Sequence, residues 1–190
     1  EPLIYIGTDK EVKNPSVNIF FKQDATPDSL KNTIAYYATS YMVSMAMNML
    51  NNRLNELRQT ANPPFTNASA GYGEFFLAKT KEAFSLDARS KVDGIDLAMK
   101  TVLEEAERAR RFGFTATEYE RARANYMQGV ESAYNEREKT KSGSYVNEYV
   151  NNFLDKEPIP GIEFEYMLTK QMAPNIPVEA INKMMQQLIT

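Results

Sequence analysis

The chain has 190 residues, of which 43% are hydrophobic and 25% charged, so it can bury the core of one large domain or of two packed halves. It contains no histidine and no cysteine, which excludes Ser-His-Asp and Cys-His catalysis, thiolate zinc sites and every metal site that needs imidazole. Lysine and arginine number 22 against 25 acidic residues, and this balance argues against a nucleic-acid partner.

The beginning of the chain gives no sign of a targeting segment. It starts Glu1-Pro2-Leu3, without Met and without the basic and then apolar pattern of a signal peptide. No apolar run approaches the roughly 18 residues that a membrane span needs. We therefore expect no membrane span, and we expect these residues to be an internal part of a longer multidomain chain. The absence of thiols leaves the cellular compartment open.

Two short β-branched and aromatic runs, at residues 3–6 and 17–21, are strand candidates. A helix should follow, because apolar residues recur at three- and four-residue steps from Leu30 to Leu57 without glycine or proline. At about 30 residues this helix would exceed the usual 8 to 20, and a break inside it would be unsurprising. Its methionines (Met42, Met45, Met47, Met49) fit a core better than an adaptable peptide-binding surface.

After Pro63-Pro64 the composition predicts two antiparallel strands, within residues 65–81 and 83–88. The alternation places Phe84 and Leu86 on one face and Ser85 and Asp87 on the other, which is typical of a sheet covered on one side only. Helices must then supply the cover. The aromatic residues of the first strand (Tyr72, Phe75, Phe76) either line a peptide cleft or, as aromatics in strands more often do, pack.

The rest of the chain is predicted to be helical. An apolar stripe between Val92 and Ala106 predicts one helix, with Gly113 just after its end. Thr115 and Glu118 fit a capping box that starts a second helix, to about Lys139. The arginines at 108, 110 and 111 are interleaved with glutamates at 104, 105 and 107, which indicates a solvated helix face. Three shorter helices follow, around residues 145–154, 162–172 and 178–188. This order of elements is α+β, with a mixed or antiparallel sheet and a helix-rich C-terminal third.

Several stretches resemble the non-catalytic domain of the pitrilysin and insulinase zinc peptidases. They are LNNRLNELR at 50–58, NPPF at 62–65, FGFT at 112–115, EYERA at 118–122 and YVNNFL at 149–154. The resemblance covers nearly the whole chain. It implies a metallopeptidase-like domain, similar to those of the mitochondrial processing peptidase, that spans residues 1–190 as a single non-catalytic unit.

In that family one domain carries an inverted His-x-x-Glu-His zinc motif. This chain has no histidine, so the resemblance implies a partner domain that helps to enclose the peptide chamber, with no catalytic residue and no metal of its own. Zinc is expected in a separate catalytic domain of the same polypeptide or complex, which together with the other domains and a peptide substrate would be its partners.

The family also uses an arginine and a tyrosine, seven residues apart, to steady substrate and transition state. Arg58 matches the arginine and is the candidate substrate-binding residue; alternatively it is a surface residue near the negative end of its helix dipole. Phe65 stands where the tyrosine would be, and a phenyl ring has no hydroxyl to donate to an oxyanion. Phe65 is thus expected in the core. The motif at 62–65 resembles the second domain of the zinc-carrying half, where shaping the chamber is the expected task.

The leading hypothesis is therefore a structural and substrate-chamber domain of a zinc metalloendopeptidase, inactive by itself, in a parent polypeptide that hydrolyses peptides. The alternative is a freestanding binding or assembly protein that keeps the peptidase-like fold without a catalytic partner. A hydrolase that uses carboxylates alone is disfavoured, because no two acidic residues have a sequence spacing that indicates a catalytic pair.

Overall fold

A computed structural model describes residues 2–189 as a three-stranded sheet, seven α-helices and two single 3₁₀ turns. The strands are β1 (Ser16–Asp24), β2 (Asn67–Phe75) and β3 (Ala78–Arg89). The helices, in chain order, are α1 (Asp28–Lys31), α2 (Ile34–Arg58), α3 (Ile95–Phe112), α4 (Ala116–Asn135), α5 (Ser142–Asp155), α6 (Ile162–Met172) and α7 (Val178–Leu188). The 3₁₀ turns are Arg137–Lys139 and Ala173–Asn175.

The sheet is antiparallel, with the strands in the order β1-β3-β2. Phe84 and Leu86 of the central strand are fully buried, and α2 and α3 pack on this side of the sheet. Ser85 and Asp87 point to the other side and stay partly exposed. The predicted α+β fold, with helices covering one side of the sheet, is confirmed. We call the side that carries Ser85 and Asp87 the open face.

The β2–β3 hairpin turns earlier than the sequence indicates. The turn lies at Phe76 and Leu77, both 72% exposed, rather than near Lys81. The strand β3 is consequently 12 residues long, because Lys81 and Glu82 pair with the end of β1 instead of forming a loop. The register shifts between Glu74 and Phe75, next to the turn.

The segment that the sequence predicts as one long helix forms two helices, α1 and α2, and Thr33 lies between them. Its hydroxyl donates to the carbonyl of Leu30, at the end of α1, and accepts from the amide of Tyr36, in the first turn of α2. The helix α2 runs for 25 residues and crosses the centre of the molecule against β2, α3, α4 and α7. Its buried residues include three of the four methionines, as predicted: Tyr41, Met45, Ala46, Met47, Met49, Leu50 and Leu54.

The turn between α3 and α4 is built as the sequence predicts. Gly113 has a φ of 72°, and its amide donates to the carbonyl of Ala109. The Thr115 hydroxyl accepts from the amide of Glu118, and the Glu118 carboxylate accepts from the amide of Thr115, so the capping box is complete. The helix α4 ends at Asn135, and a 3₁₀ turn continues to Lys139.

Two sequence predictions are wrong. Residues 3–6 form no strand and are 80–94% exposed, because among residues 2–189 no strand pairs with them, and a strand needs a hydrogen-bonded neighbour. The charged face of α3 is not solvated throughout: Glu105 is only 4% exposed. It lies on the same side of α3 as the buried Val102 and Ala109, and it is paired with arginine from α2.

The three predicted C-terminal helices are confirmed as α5, α6 and α7. The helix α7 packs on α2 and α3 through Ile181, Met185 and Leu188, all buried. The helix α6 packs on α4, whereas α5 lies apart from the core with its apolar side exposed. Over the described range, no helix combines the length and the apolar character required to cross a membrane.

Candidate functional site

The candidate substrate-binding residue, Arg58, is the last residue of α2 and is exposed. Its guanidinium donates to the side-chain oxygen of Asn55 at 2.8 Å and, more weakly, to that of Asn67 at 3.5 Å. Asn67 begins β2, an edge strand of the sheet. Arg58 therefore lies at the margin of the sheet, with its charge available to a ligand on that side.

A polar recess of about 290 Å³ lies on the open face next to this margin. Two rows of opposed residues form it. Asn18, Asp87 and Ser69 lie opposite one another in one row, and Ser16, Arg89 and Asn67 form the row nearer the end of the sheet. We call this the polar recess. Because Asn67 belongs to it and contacts Arg58, the arginine lies at its rim.

Asp87 is the acidic group of the polar recess, and partial burial raises the pKa of its carboxyl above the ordinary value. Its neighbours across the strands, Asn18 and Ser69, are uncharged. A single carboxylate with amide, hydroxyl and guanidinium neighbours can bind polar groups such as those of a peptide backbone. The recess also holds the hydroxyls of Ser16 and Ser69, but it contains no imidazole or amine that could activate them.

Phe65 lies elsewhere. Its side chain is 2% exposed and belongs to the hydrophobic core, which confirms the interpretation from the sequence. A buried phenyl ring can neither donate a hydrogen bond nor reach a ligand on the open face. The structure therefore places Arg58 and Phe65 in different surroundings rather than together in one site.

A buried ion-pair network, which the sequence motifs did not predict, is centred on Arg53, five residues before Arg58 in α2. The guanidinium donates to both carboxylate oxygens of Glu118, at 2.6 and 2.9 Å, and to Glu105 at 3.3 Å. It also donates to the carbonyl of Gly113 at 3.0 Å and lies over the ring of Phe114. The Arg53 guanidinium lowers the pKa of Glu118 to about 2. The network joins α2 to the α3–α4 turn.

The spacing of charged and apolar residues along α2 and α3 could have predicted this network. Arg53 falls between Leu50 and Leu57 on the apolar side of α2, and Glu105 falls between Val102 and Ala109 on the apolar side of α3. A charge at a core-facing position requires a partner. Arg53 and Glu105 are of opposite sign and lie on helices that pack together.

A second polar network closes the other end of the sheet. The Tyr72 hydroxyl donates to Glu82 at 2.6 Å and is in contact with Gln23, while the Tyr36 hydroxyl donates to the Glu157 carboxylate at 3.0 Å. Burial and the Glu157 carboxylate raise the pKa of Tyr36 to about 12. The Tyr72–Glu82 bond joins β2 to β3, and the Tyr36–Glu157 bond joins α2 to the segment that follows α5. Tyr72 thus packs and bonds inside the fold and does not line an open cleft.

Zinc does not fit the residues of this chain. The sequence has no histidine and no cysteine, and among residues 2–189 no three acidic side chains come close enough to hold a metal ion. A protein zinc site needs three or four such ligands.

Comparison with known proteins finds relatives of the kind that the sequence motifs resemble. No protein-family model matches the sequence. A zinc protease PQQL-like protein of Arabidopsis thaliana is 29% identical over 182 residues, which are 96% of this chain and 16% of that protein. The periplasmic protease PqqL of Escherichia coli matches with a TM-score of 0.82 and 18% identity, over 95% of this chain and 19% of PqqL. A predicted insulinase family protease of Yersinia pestis matches with a TM-score of 0.77 and 10% identity, over 94% of this chain and 38% of that structure.

These findings confirm the resemblance inferred from the motifs. The chain is homologous to a zinc protease-like protein and has the fold of a domain of insulinase-family proteases. It spans well under half of each relative, as a domain of a larger polypeptide does.

Proposed function

We propose that residues 1–190 are one non-catalytic domain of a zinc-dependent metalloendopeptidase and form part of the wall of its substrate chamber. The proposal rests on the combination of similarity to a zinc protease-like protein with the absence of histidine. The chain aligns over 96% of its length with a zinc protease-like protein, yet it contains no histidine. Zinc and the catalytic base would then belong to another domain, and the parent protein would hydrolyse peptides there.

Within the parent protein, we assign the chain to the second domain of the zinc-carrying half. Two observations support this assignment. The NPPF motif at 62–65 ends in a phenylalanine that is buried in the core rather than exposed to donate a hydrogen bond. The chain also matches a structure of the first half of PqqL with a TM-score of 0.82, over 38% of that half.

We assign Arg58 a contact with peptide substrate. This assignment is supported by its position: an exposed guanidinium at the rim of the polar recess that donates to the side chains of Asn55 and Asn67. A guanidinium with free donors suits a carbonyl or carboxylate of a bound peptide. The open face would then be turned toward the chamber.

The first experiment is the intact mass of the protein purified from its source, followed by peptide mapping. We expect a polypeptide several times longer than this chain that contains His-x-x-Glu-His and cleaves peptides in a zinc-dependent manner. By itself, the 190-residue chain should neither bind zinc tightly in calorimetry nor cleave peptides. A native mass near 21.6 kDa without a copurifying zinc-binding chain would contradict the proposal and favour a freestanding binding or assembly protein. Micromolar zinc affinity of the isolated chain would contradict the statement that its residues hold no metal.

A further inference from the structure

The helix α5 has an apolar side that nothing in the described chain covers. Its apolar residues recur at positions i, i+1, i+4, i+5, i+8 and i+9, so they form one continuous stripe. All are substantially exposed, between 36% and 76%. We call this the α5 stripe: Tyr145, Val146, Tyr149, Val150, Phe153 and Leu154.

The contacts that fasten α5 to the rest of the molecule are polar and lie at its last turn. The carbonyl of Asp155 accepts from Lys31 at 2.5 Å, and its carboxylate pairs with Lys79 at 2.8 Å. By contrast, α7 has a similar length and buries its apolar residues in the core. The α5 stripe is therefore not explained by packing within this chain.

The Lys79 contact also brings the β2–β3 hairpin close to the end of α5. The turn of that hairpin exposes Phe76 and Leu77, each at 72%. The last apolar residues of the α5 stripe, Phe153 and Leu154, are exposed at 76% and 57%. The Lys79–Asp155 ion pair thus joins the start of β3 to the C-terminal end of the α5 stripe, whereas the Phe76 ring itself packs against Phe20 and Phe75.

The size of the stripe indicates which kind of partner it suits. A helix of 14 residues is about 21 Å long, so one face of it covers on the order of a few hundred Å². A stable interface between separate molecules needs about 800 Å² on each side. A second copy of this chain is thus a poor occupant. A segment tethered in the same polypeptide needs far less area, because tethering gives it an effective concentration in the millimolar range.

From these observations we propose that the α5 stripe is a docking surface for an apolar surface on another domain of the parent polypeptide. The proposal rests on the proposed function, which requires such domains. The relatives are long enough to contain such domains, since this chain matches 16% of the Arabidopsis protein and 38% of the Yersinia structure. The Lys79–Asp155 ion pair lies at the C-terminal end of this surface, where β3 begins.

The test is peptide-level hydrogen exchange on the native-length protein and on the 190-residue chain. We expect the amides of α5 to exchange at least tenfold more slowly in the native-length protein. The double variant Tyr149→Ser/Phe153→Ser should remove that protection, and Glu148→Gln, an exposed polar residue of the same helix, should not. Since Tyr149 and Phe153 are 62% and 76% exposed, the double variant should leave the unfolding midpoint of the 190-residue chain unchanged, which separates loss of docking from loss of folding.

Equal exchange of α5 in both proteins would overturn the proposal. Zinc-dependent peptide hydrolysis by the same unmodified preparation separates this result from a failure of the proposed function. Activity with an unprotected α5 contradicts docking alone, and protection without activity contradicts the peptidase function alone.

Discussion

At the scale of single residues, two arginines in the last two turns of α2 lie in different environments. Arg53 is largely buried and bonded to two glutamates and a carbonyl, and a substitution there would remove a charged partner from the buried Glu105 and the partly buried Glu118. Arg58 is exposed and contacts only asparagine side chains among its hydrogen-bonding partners in residues 2–189. Of the two, Arg58 is the one that can be replaced without disturbing the core, which makes its proposed contact with substrate testable.

In the parent peptidase, Arg58→Ala should raise KM for a peptide substrate about tenfold with little change in kcat, because a charged hydrogen bond to bound substrate is lost. Steady-state kinetics on the native-length protein measures this. Arg121→Ala, which removes an exposed arginine from α4, is the matched control and should change neither constant. Unchanged KM in Arg58→Ala would instead identify Arg58 as a surface residue that complements the helix dipole.

Gly113→Ala should destabilise the chain by at least about 2 kcal/mol, for two reasons. A Cβ atom at this position would lie 2.4 Å from Cγ of Asn182, and φ is 72°. The Asn182 side chain cannot easily move away, because it accepts from the amide of Phe114 at 2.7 Å and donates to its carbonyl. Urea unfolding measures the free energy.

The matched control is Gly129→Ala in α4, where a Cβ would meet nothing within 4 Å. Alanine has the higher helix propensity, so this variant should be neutral or more stable by up to about 1 kcal/mol. Equal stability of the two variants would show that Asn182 yields and that the turn tolerates a side chain.

At the scale of elements, the sequence predicts correctly the features that depend on neighbouring residues and fails on those that need a distant partner. The alternation of Phe84 with Ser85 and the capping box of Thr115 follow from neighbouring residues alone. The apolar run at 3–6 has the composition of a strand, yet strand formation depends on a hydrogen-bonding neighbour that composition does not reveal. Likewise, the position of Glu105 on α3 gains its meaning only when Arg53 of α2 lies opposite.

The junction of α2 with the α3–α4 turn should make stability depend on pH. Glu118 has a pKa of about 2 in the folded chain against an ordinary value of 4.5. Because folding lowers this pKa, its contribution is fully present above pH 4.5 and is lost as the pH falls toward 2. Glu118→Gln retains the capping geometry but removes the charge that pairs with Arg53. It should cost about 1–3 kcal/mol at pH 6.

Urea unfolding at pH 6 and at pH 3 tests this, with Glu120→Gln, an exposed glutamate of the same helix, as the reference. The difference in unfolding free energy between the two variants should shrink by more than half at pH 3. A difference that stays constant between the two pH values would contradict a stabilising role for the charge of Glu118.

At the scale of the whole molecule, the amino-acid composition excludes whole classes of functional site, whereas no single motif is enough to identify a function. The absence of histidine and cysteine is enough to exclude a zinc site of the usual kind. The motifs at 50–58 and 112–122 carry a resemblance that the similarity to a zinc protease-like protein supports. The polar recess could not be predicted, because it is assembled from three strands whose register joins Asn18, Asp87 and Ser69. Nor does a sequence show that the α5 stripe lies away from the core: its periodicity is the same as that of a buried helix.

The strand order β1-β3-β2 also affects how the chain folds. The hairpin partners β2 and β3 are adjacent in sequence, but Ser16 of β1 pairs with Arg89 of β3, with all of α2 between them. Closing so long a loop has a large entropic cost before any contact compensates it, and such non-local pairings slow folding. The arrival of β1, which completes the open face and its recess, is thus the step of the sheet's assembly with the highest cost in chain entropy.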